Sequence, residues 1–452
     1  MAKKNHYLLT HNLSHKIYNR IEALPIVDVH NHIDAEQLTV PAKNIWDLMC
    51  AKDHYILELL NSFGVAQSFL LGRVSDREKF RIFSENFYKF SGLPSRDWFL
   101  LDLKNNFNIE IKTLDPSNED HVWKKSLSIL AGGHLTPAAI IRNSNIEIIG
   151  TTNEPWEDLR VHQQGIAGLS RNPLRPSFRA DSLIKIWDPR WKKDRLPRLG
   201  LTKFPRFSAY LEAIRKRFSY FMNHRNLSVD IAIDEPEFSA VDFKTAEHIF
   251  KKCLEDSNLP KNERDNFYSY MICEVMSEWC YAAGIPLQLK IAALRDQRKM
   301  GVPDGSDISD HTITFRSLAF LANKYDPEQI RTPKSAIFIS IKDPAGYPGQ
   351  AELARIFPNI YYSGSWWTQD SPEGLETGLR LRTPIAGYYK GLHFYTDARS
   401  LTVFRSRFDM FKRVLANHLA EQIDKGRLTE SLAFRIAEDL SYHEPKRLFK
   451  IS

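Results

Sequence analysis

The chain is short of cysteine: Cys50, Cys253, Cys273 and Cys280 are its four, and no pair has a CxxC spacing. That excludes a zinc knuckle and a disulfide framework and leaves free thiols suited to a reducing compartment. It also lacks any apolar run long enough to cross a bilayer. Its first residues include Met1, Lys3 and Lys4 without an apolar stretch behind them, and helix-like spacing leads straight into Pro25. No leader is expected, and the expected location is cytoplasmic. No Gly-rich phosphate loop follows an early strand, which counts against a nucleotide-binding, doubly wound sheet. Internal repeats and low-complexity tracts are absent as well. The charge is only mildly one-sided: 62 Lys plus Arg against 55 Asp plus Glu give +7. Such an excess favours encounter with small anions.

What is present is a globular composition, with 43% hydrophobic and 26% charged residues. Short β-branched or apolar runs bounded by turn residues predict eight strands, at Pro25–His32, Ile146–Thr152, Leu174–Arg179, Ser228–Ile233, Pro286–Ala292, Ser335–Ile341, Asn359–Trp367 and Gly391–Asp397. Helical periodicity lies between most of them, as at Tyr268–Ala283 and Ser317–Lys324. Alternation of this kind is the signature of parallel βαβ units. The expected fold is α/β, a single (β/α)8 TIM barrel over residues 1–452. Residues 40–140 form a helical insertion after the first strand, and 400–452 form terminal helices. The densest basic stretch, Lys185–Arg206, interleaves Trp187, Trp191 and Phe204 among its charges. Its Pro and Gly content reads as a solvated excursion between barrel elements, and no nucleic-acid or membrane partner is expected.

Polar residues gather at the strands' C-terminal ends: His30 and His32, Thr151 and Thr152, Arg179, Asp230 and Asp234, Lys290, Trp366, Asp397 and Arg399. A barrel brings these ends to one face, where active sites are built. His30 and His32 stand two apart on one strand, so both imidazoles point the same way and can approach one divalent ion, zinc being the best suited. Asp28 precedes them and can support them from behind. Asp397 ends the eighth strand, which neighbours the first in a closed barrel, so its carboxylate can complete a metal site or act as a base. Arg399 places a cation beside it. The plainer reading of Asp397 and Arg399 is a local ion pair and a helix cap.

Several strings resemble the uronate isomerase family of the amidohydrolase superfamily. PIVDVHNHI is similar to its first strand, WDLMCAKDHY to a segment ending in DHY, and LRPSFRAD to a TFRPD segment. GSWWTQDSPEGLE is similar to a tryptophan-pair segment, and YTDARS with the helix after it to a TDSRS segment. The likeness keeps one order along nearly the whole chain. It implies an aldose–ketose isomerase that interconverts a hexuronate, glucuronate or galacturonate, with its ketohexuronate through an enediol. By the same resemblance His30, His32 and Asp397 surround a divalent metal, and Asp397 is also the base. Tyr55 and Arg399 serve the sugar oxygens, Arg179 clamps the carboxylate, and His54, Trp366 and Trp367 shape the pocket. The partner implied is the small-molecule substrate, and a homo-oligomer is compatible with the chain.

Two departures stand out. The family's DHG on the fourth strand is Asp230-Ile231-Ala232 here, which the resemblance implies removes an imidazole from the pocket, and its QLHIG on the fifth is QLKIA, with Lys290 in place of a histidine. An ammonium cannot ligate a cation and repels one nearby. Lys290 is therefore expected to pair with Asp397, to serve as an acid/base group, or to point away. The KDPAG string after the sixth strand also differs from the family's. A metal-dependent hydrolase or lactonase acting on an acid sugar, and a barrel that binds a sugar acid without turning it over, are the competing readings.

Overall fold

The computed structural model describes residues 7–202, 204–234, 237–295, 297–298, 302, 307–310, 315–326, 335–364, 366 and 369–452. Eight parallel strands follow one another round the sheet in chain order. They are β1 (Ile26–Asn31), β2 (Ile146–Asn153), β3 (Leu174–Arg179), β4 (Val229–Ala232), β5 (Leu287–Ile291), β6 (Ile337–Ile341), β7 (Ile360–Ser363) and β8 (Gly391–Leu392). The circuit closes beyond β8, where the Asp397 amide donates to the His30 carbonyl (3.1 Å) and the His32 amide to that of Ala398 (2.8 Å). All eight predicted runs contain a strand, and the architecture is the (β/α)8 barrel.

Alternation sorts the strand residues. Ile231, Leu289, Ile291, Ile337, Ile339 and Ile341 pack outward against the helical layer. Val27, Val29, Ile148, Phe338, Leu392 and Tyr395 fill the interior. Phe449, from the end of the chain, stacks on Phe338 with ring centres 5.1 Å apart. The residues between the outward-facing ones, Lys290 on β5 and Lys342 just past β6, are thereby sent inward near the strands' C-terminal ends. On β1 a register shift between Asp28 and Asn31 resets the pleat, so Val29 and His30 both face in.

Two strands end earlier than their apolar runs. β7 stops at Ser363, and a Cβ at the next residue, Gly364, would lie 1.9 Å from the His393 carbonyl oxygen. The glycine lets the β8 segment pass. The regular ladder of β8 stops at Leu392, and Asp397 sits in the left-handed region at φ 50°, a conformation Asp tolerates better than most residues.

Between β1 and β2 the chain is helical, including α1 (His54–Ser62) and α2 (Pro94–Phe107). Their apolar faces share one core with the long helix α3 (Val403–Asp424). That core holds the phenylalanine cluster Phe80, Phe83, Phe87, Phe90 and Phe99. The basic stretch Lys185–Arg206 is an excursion between β3 and β4, as its composition suggests, but it is solvated only in part, with Arg190 exposed and Ile186 and Leu196 buried. Trp191 is fully buried and donates to the Tyr210 hydroxyl (3.1 Å), while Phe204 stays exposed. The Trp191 indole turns into the core while most basic side chains around it keep their solvent. All four cysteines are buried free thiols. Among the described residues no helix is long and apolar enough to cross a membrane.

Candidate active site

At the C-terminal end of the barrel one carboxylate oxygen gathers three nitrogens. Asp397 Oδ1 lies 3.0 Å from His30 Nε2, 3.2 Å from His32 Nε2 and 3.2 Å from Lys290 Nζ. Lys290 Nζ also touches His30 Nε2. All four groups are largely buried, His30 completely. On the far side His30 Nδ1 faces Asp230 Oδ1 at 3.7 Å, and neither atom has a hydrogen-bond partner among the described residues.

Hydrogen-bond accounting fixes a tautomer. The Thr152 hydroxyl donates its one proton to the Asn31 carbonyl (2.5 Å), so its oxygen accepts from His32 Nδ1–H (2.9 Å). Burial pushes His32 well below the usual histidine range, with Arg399 and Lys290 adding to it against the pull of Asp397. Neutral His32 therefore turns the lone pair of Nε2 toward Asp397 Oδ1. Two acceptors facing each other call for a cation, and the donor atoms of His30, His32 and Asp397 lie within 4.8 Å of one another, close enough to hold a metal ion. Two imidazoles and a carboxylate suit a divalent ion, and the Thr152 contact orients a ligand from behind. The Lys290 ammonium competes for the same position. Asp28, by contrast, touches neither imidazole. It accepts from the Thr396 amide (2.8 Å) and hydroxyl (2.6 Å) and from Asn31 Nδ2 (3.0 Å), riveting β1 to the β8 segment, and burial lifts its carboxyl to about 6.

Burial alone would raise the Asp397 pKa, but the Lys290 ammonium and His30 outweigh it and hold the carboxyl well below the usual range. It is a carboxylate at any ordinary pH. His54 and Tyr55 open α1, whose N-cap Asp53 accepts from the Tyr55 amide (2.9 Å). The Tyr55 hydroxyl donates to Asp370 Oδ2 (3.2 Å). Burial, with Arg399 second, presses His54 to about 3, and burial with Asp370 raises Tyr55 well above 10. Arg399 thus acts on both His54 and His32. Trp366 is buried under the Arg295 guanidinium, 5.8 Å from its ring centre. Trp367 lies outside the described residues. Arg179 donates from Nε to Asp181 (2.9 Å), and its Nη1 stands 3.8 Å from Glu154. Its side chain is 36% exposed.

Three features escaped the sequence reading. Ile231 packs in the outward core, so the change from the family's fourth-strand histidine does not open the pocket; Asp230 is the inward residue. Lys342 donates to the Asp307 carbonyl (2.7 Å), and burial lowers it to about 8. Its inward place two residues after Ser340 was readable from alternation. Arg407, on α3, reaches the site from outside the barrel.

The glucuronate isomerase family model matches residues 1–449. The chain belongs to the glucuronate isomerase family. The uronate isomerase of Thermotoga sp. (strain RQ2) is 30% identical over 98% of both chains. The crystal structure of uronate isomerase from Thermotoga maritima superposes with a TM-score of 0.92 at 29% identity, over 99% of this chain and all of the other. That of glucuronate isomerase from Caulobacter crescentus gives 0.90 at 25%, over 100% and 97%. Within this glucuronate isomerase-family barrel, His30 at the end of β1, His32 just past it and the aspartate beyond β8 share one oxygen-centred cluster.

Proposed function

We propose that the chain interconverts a hexuronate, glucuronate or galacturonate, with the corresponding ketohexuronate. The observation that carries the reading is the Asp397 carboxylate, kept ionised by Lys290 and His30 at the barrel end where two imidazoles and an ammonium meet it. Asp397 removes the C2 proton, the C2–H electrons form the C1=C2 bond, and O1 gains a proton to give the enediol. O2 then loses its proton as C2=O forms, and C1 receives the proton that Asp397 holds. The reaction is redox-neutral and needs no further reactant.

Tyr55 and Arg399 serve O1 and O2, Tyr55 with a proton it retains at neutral pH and Arg399 with a fixed charge. Lys290, against Asp397 Oδ1, offsets negative charge that builds on the enediolate and can return a proton to it. Arg179, its Nε oriented by Asp181, offers the rest of its guanidinium to the substrate carboxylate. His54 and Trp366 shape the pocket; Trp367 belongs to the same proposed wall. His30, His32 and Asp397 would hold a divalent ion, for which zinc is our choice on the donor set. When bound, such an ion polarises a substrate oxygen.

The test is to incubate the protein, after chelation and again with zinc, with each hexuronate. Ketohexuronate formation and exchange of the C2 proton with solvent are both followed. Turnover with exchange supports isomerisation. Exchange and turnover both absent with either sugar would sink it, and hydrolysis of an acid-sugar lactone would replace it.

A further inference from the structure

The two groups that must act in concert, Asp397 and Tyr55, sit on different parts of the molecule. Asp397 follows β8, while Tyr55 is on α1 of the helical insertion, 342 residues earlier. One side chain touches the supports of both. Arg407, 1% exposed, donates from Nη1 to the carbonyl of Thr396 (2.6 Å), the residue before Asp397. Its Nη2 stands 3.7 Å from Asp53 Oδ2, whose other oxygen caps the Tyr55 amide. The guanidinium plane packs 4.9 Å from the Tyr55 ring centre and 4.2 Å from that of Trp98 on α2. Asp370 holds the far end of the Tyr55 ring through its hydroxyl. A planar fork with donors on two edges and a face for stacking is what such a three-way contact requires, and lysine offers neither the second edge nor the face.

The Thr396 carbonyl is no arbitrary anchor. Asp397 occupies left-handed backbone, and the peptide before it is held on one side by Asp28, through the Thr396 amide and hydroxyl, and on the other by Arg407. Backbone of this kind persists where the surroundings over-determine it.

We propose that Arg407 is a positioning residue that sets the Tyr55 hydroxyl against the Asp397 carboxylate. Proton return to C1 and the oxygen-to-oxygen relay are then completed within one lifetime of the enediol. The inference rests on the isomerase reading above. Arg407 touches neither substrate nor reacting atoms in this scheme. Asp397 still makes the enediol without it, but the intermediate is reprotonated at C2 before Tyr55 completes the relay.

That consequence is measurable in deuterated water, as the ratio of deuterium entering C2 of recovered hexuronate to ketohexuronate formed. For Arg407→Met, isomerisation falls about 100-fold, the cost of an ångström-scale misplacement. KM stays within a few-fold, and the exchange-to-product ratio rises severalfold or more over wild type. Tyr55→Phe shifts the ratio in the same direction, and the double variant adds little, as coupled residues do. Arg407→Lys, which keeps the charge, gives an intermediate ratio and serves where the methionine variant does not fold. Exchange and isomerisation declining in parallel at an unchanged ratio, in whichever variant folds, would overturn the proposal, as would wild-type kinetics. Wild-type protein that neither turns over nor exchanges a hexuronate strikes the isomerase reading instead.

Discussion

Two ion clusters share the C-terminal face of the barrel and are built in opposite senses. Around Asp397, one carboxylate faces three nitrogens, and its pKa is driven well below the ordinary range. Around Arg179, one guanidinium faces Asp181 and Glu154. Burial alone would lower its pKa, but the two acids outweigh it and drive it up. The first arrangement keeps a base ionised and gathers positive charge where an enediolate would form. The second keeps a cation oriented without titrating. The proposed function gives chemistry to the nitrogen-rich cluster and binding to the oxygen-rich one, a division that kcat and KM resolve separately.

The sharpest break is Asp397→Asn. Loss of the base lowers kcat by about 10²- to 10⁴-fold with KM moved only a few-fold, and C2 exchange disappears with it. A KM effect alone would erase the division between the clusters. Next in size, Lys290→His removes a charge 3.2 Å from the shared oxygen and supplies a ligand. For a cation about 4 Å from that ammonium the repulsion relieved is about 4 kcal/mol per unit of the ion's charge at an effective dielectric of 20. Zinc retained after dialysis against a buffered chelator should rise, with affinity up by about 100-fold or more. Unchanged zinc retention would show that the ammonium does not contend for that position.

Arg179→Met is expected to raise KM for a hexuronate by about tenfold or more, from the loss of a charge-assisted hydrogen bond worth about 1.5–3 kcal/mol, with kcat little changed. An unmoved KM accompanied by a lower Tm would make the oxygen-rich cluster purely structural. The smallest effect concerns pH. Lys342 is lowered to about 8, chiefly by burial, so it gives up its positive charge as pH rises through that value. Attraction for an anionic sugar weakens above pH 8, and KM climbs a few-fold while the Asp397-dependent step, already ionised far below, does not change. Lys342→Arg keeps its charge and flattens the profile.

Much of this was legible in the chain. Short β-branched runs separated by helical spacing announced eight strands, and period-two spacing put His30 and His32 on one side of the chain and Lys290 at the same end of the barrel, while the β1 register shift turned His30 inward. The resemblance strings carried Tyr55, Arg179, Asp397 and Arg399 as a set. What misled was local composition. Basic residues around Trp191 advertised solvent, yet the indole is buried, and a histidine-to-isoleucine change looked like a lost pocket group although Ile231 faces the helices.

The sequence by itself determined the order of strands and helices and the end of the barrel at which the polar residues collect, because side-chain direction along a strand follows from a period of two. Only the tertiary structure decided that Lys290 and two histidines converge on one oxygen of Asp397, and that Thr152 assigns the His32 tautomer. It alone brought Arg407 from α3 against Asp53, Tyr55 and Thr396. Those contacts join residues up to 367 apart. They depend on how the sheet closes and how α1 and α3 share a core, and no local pattern encodes distances of that kind.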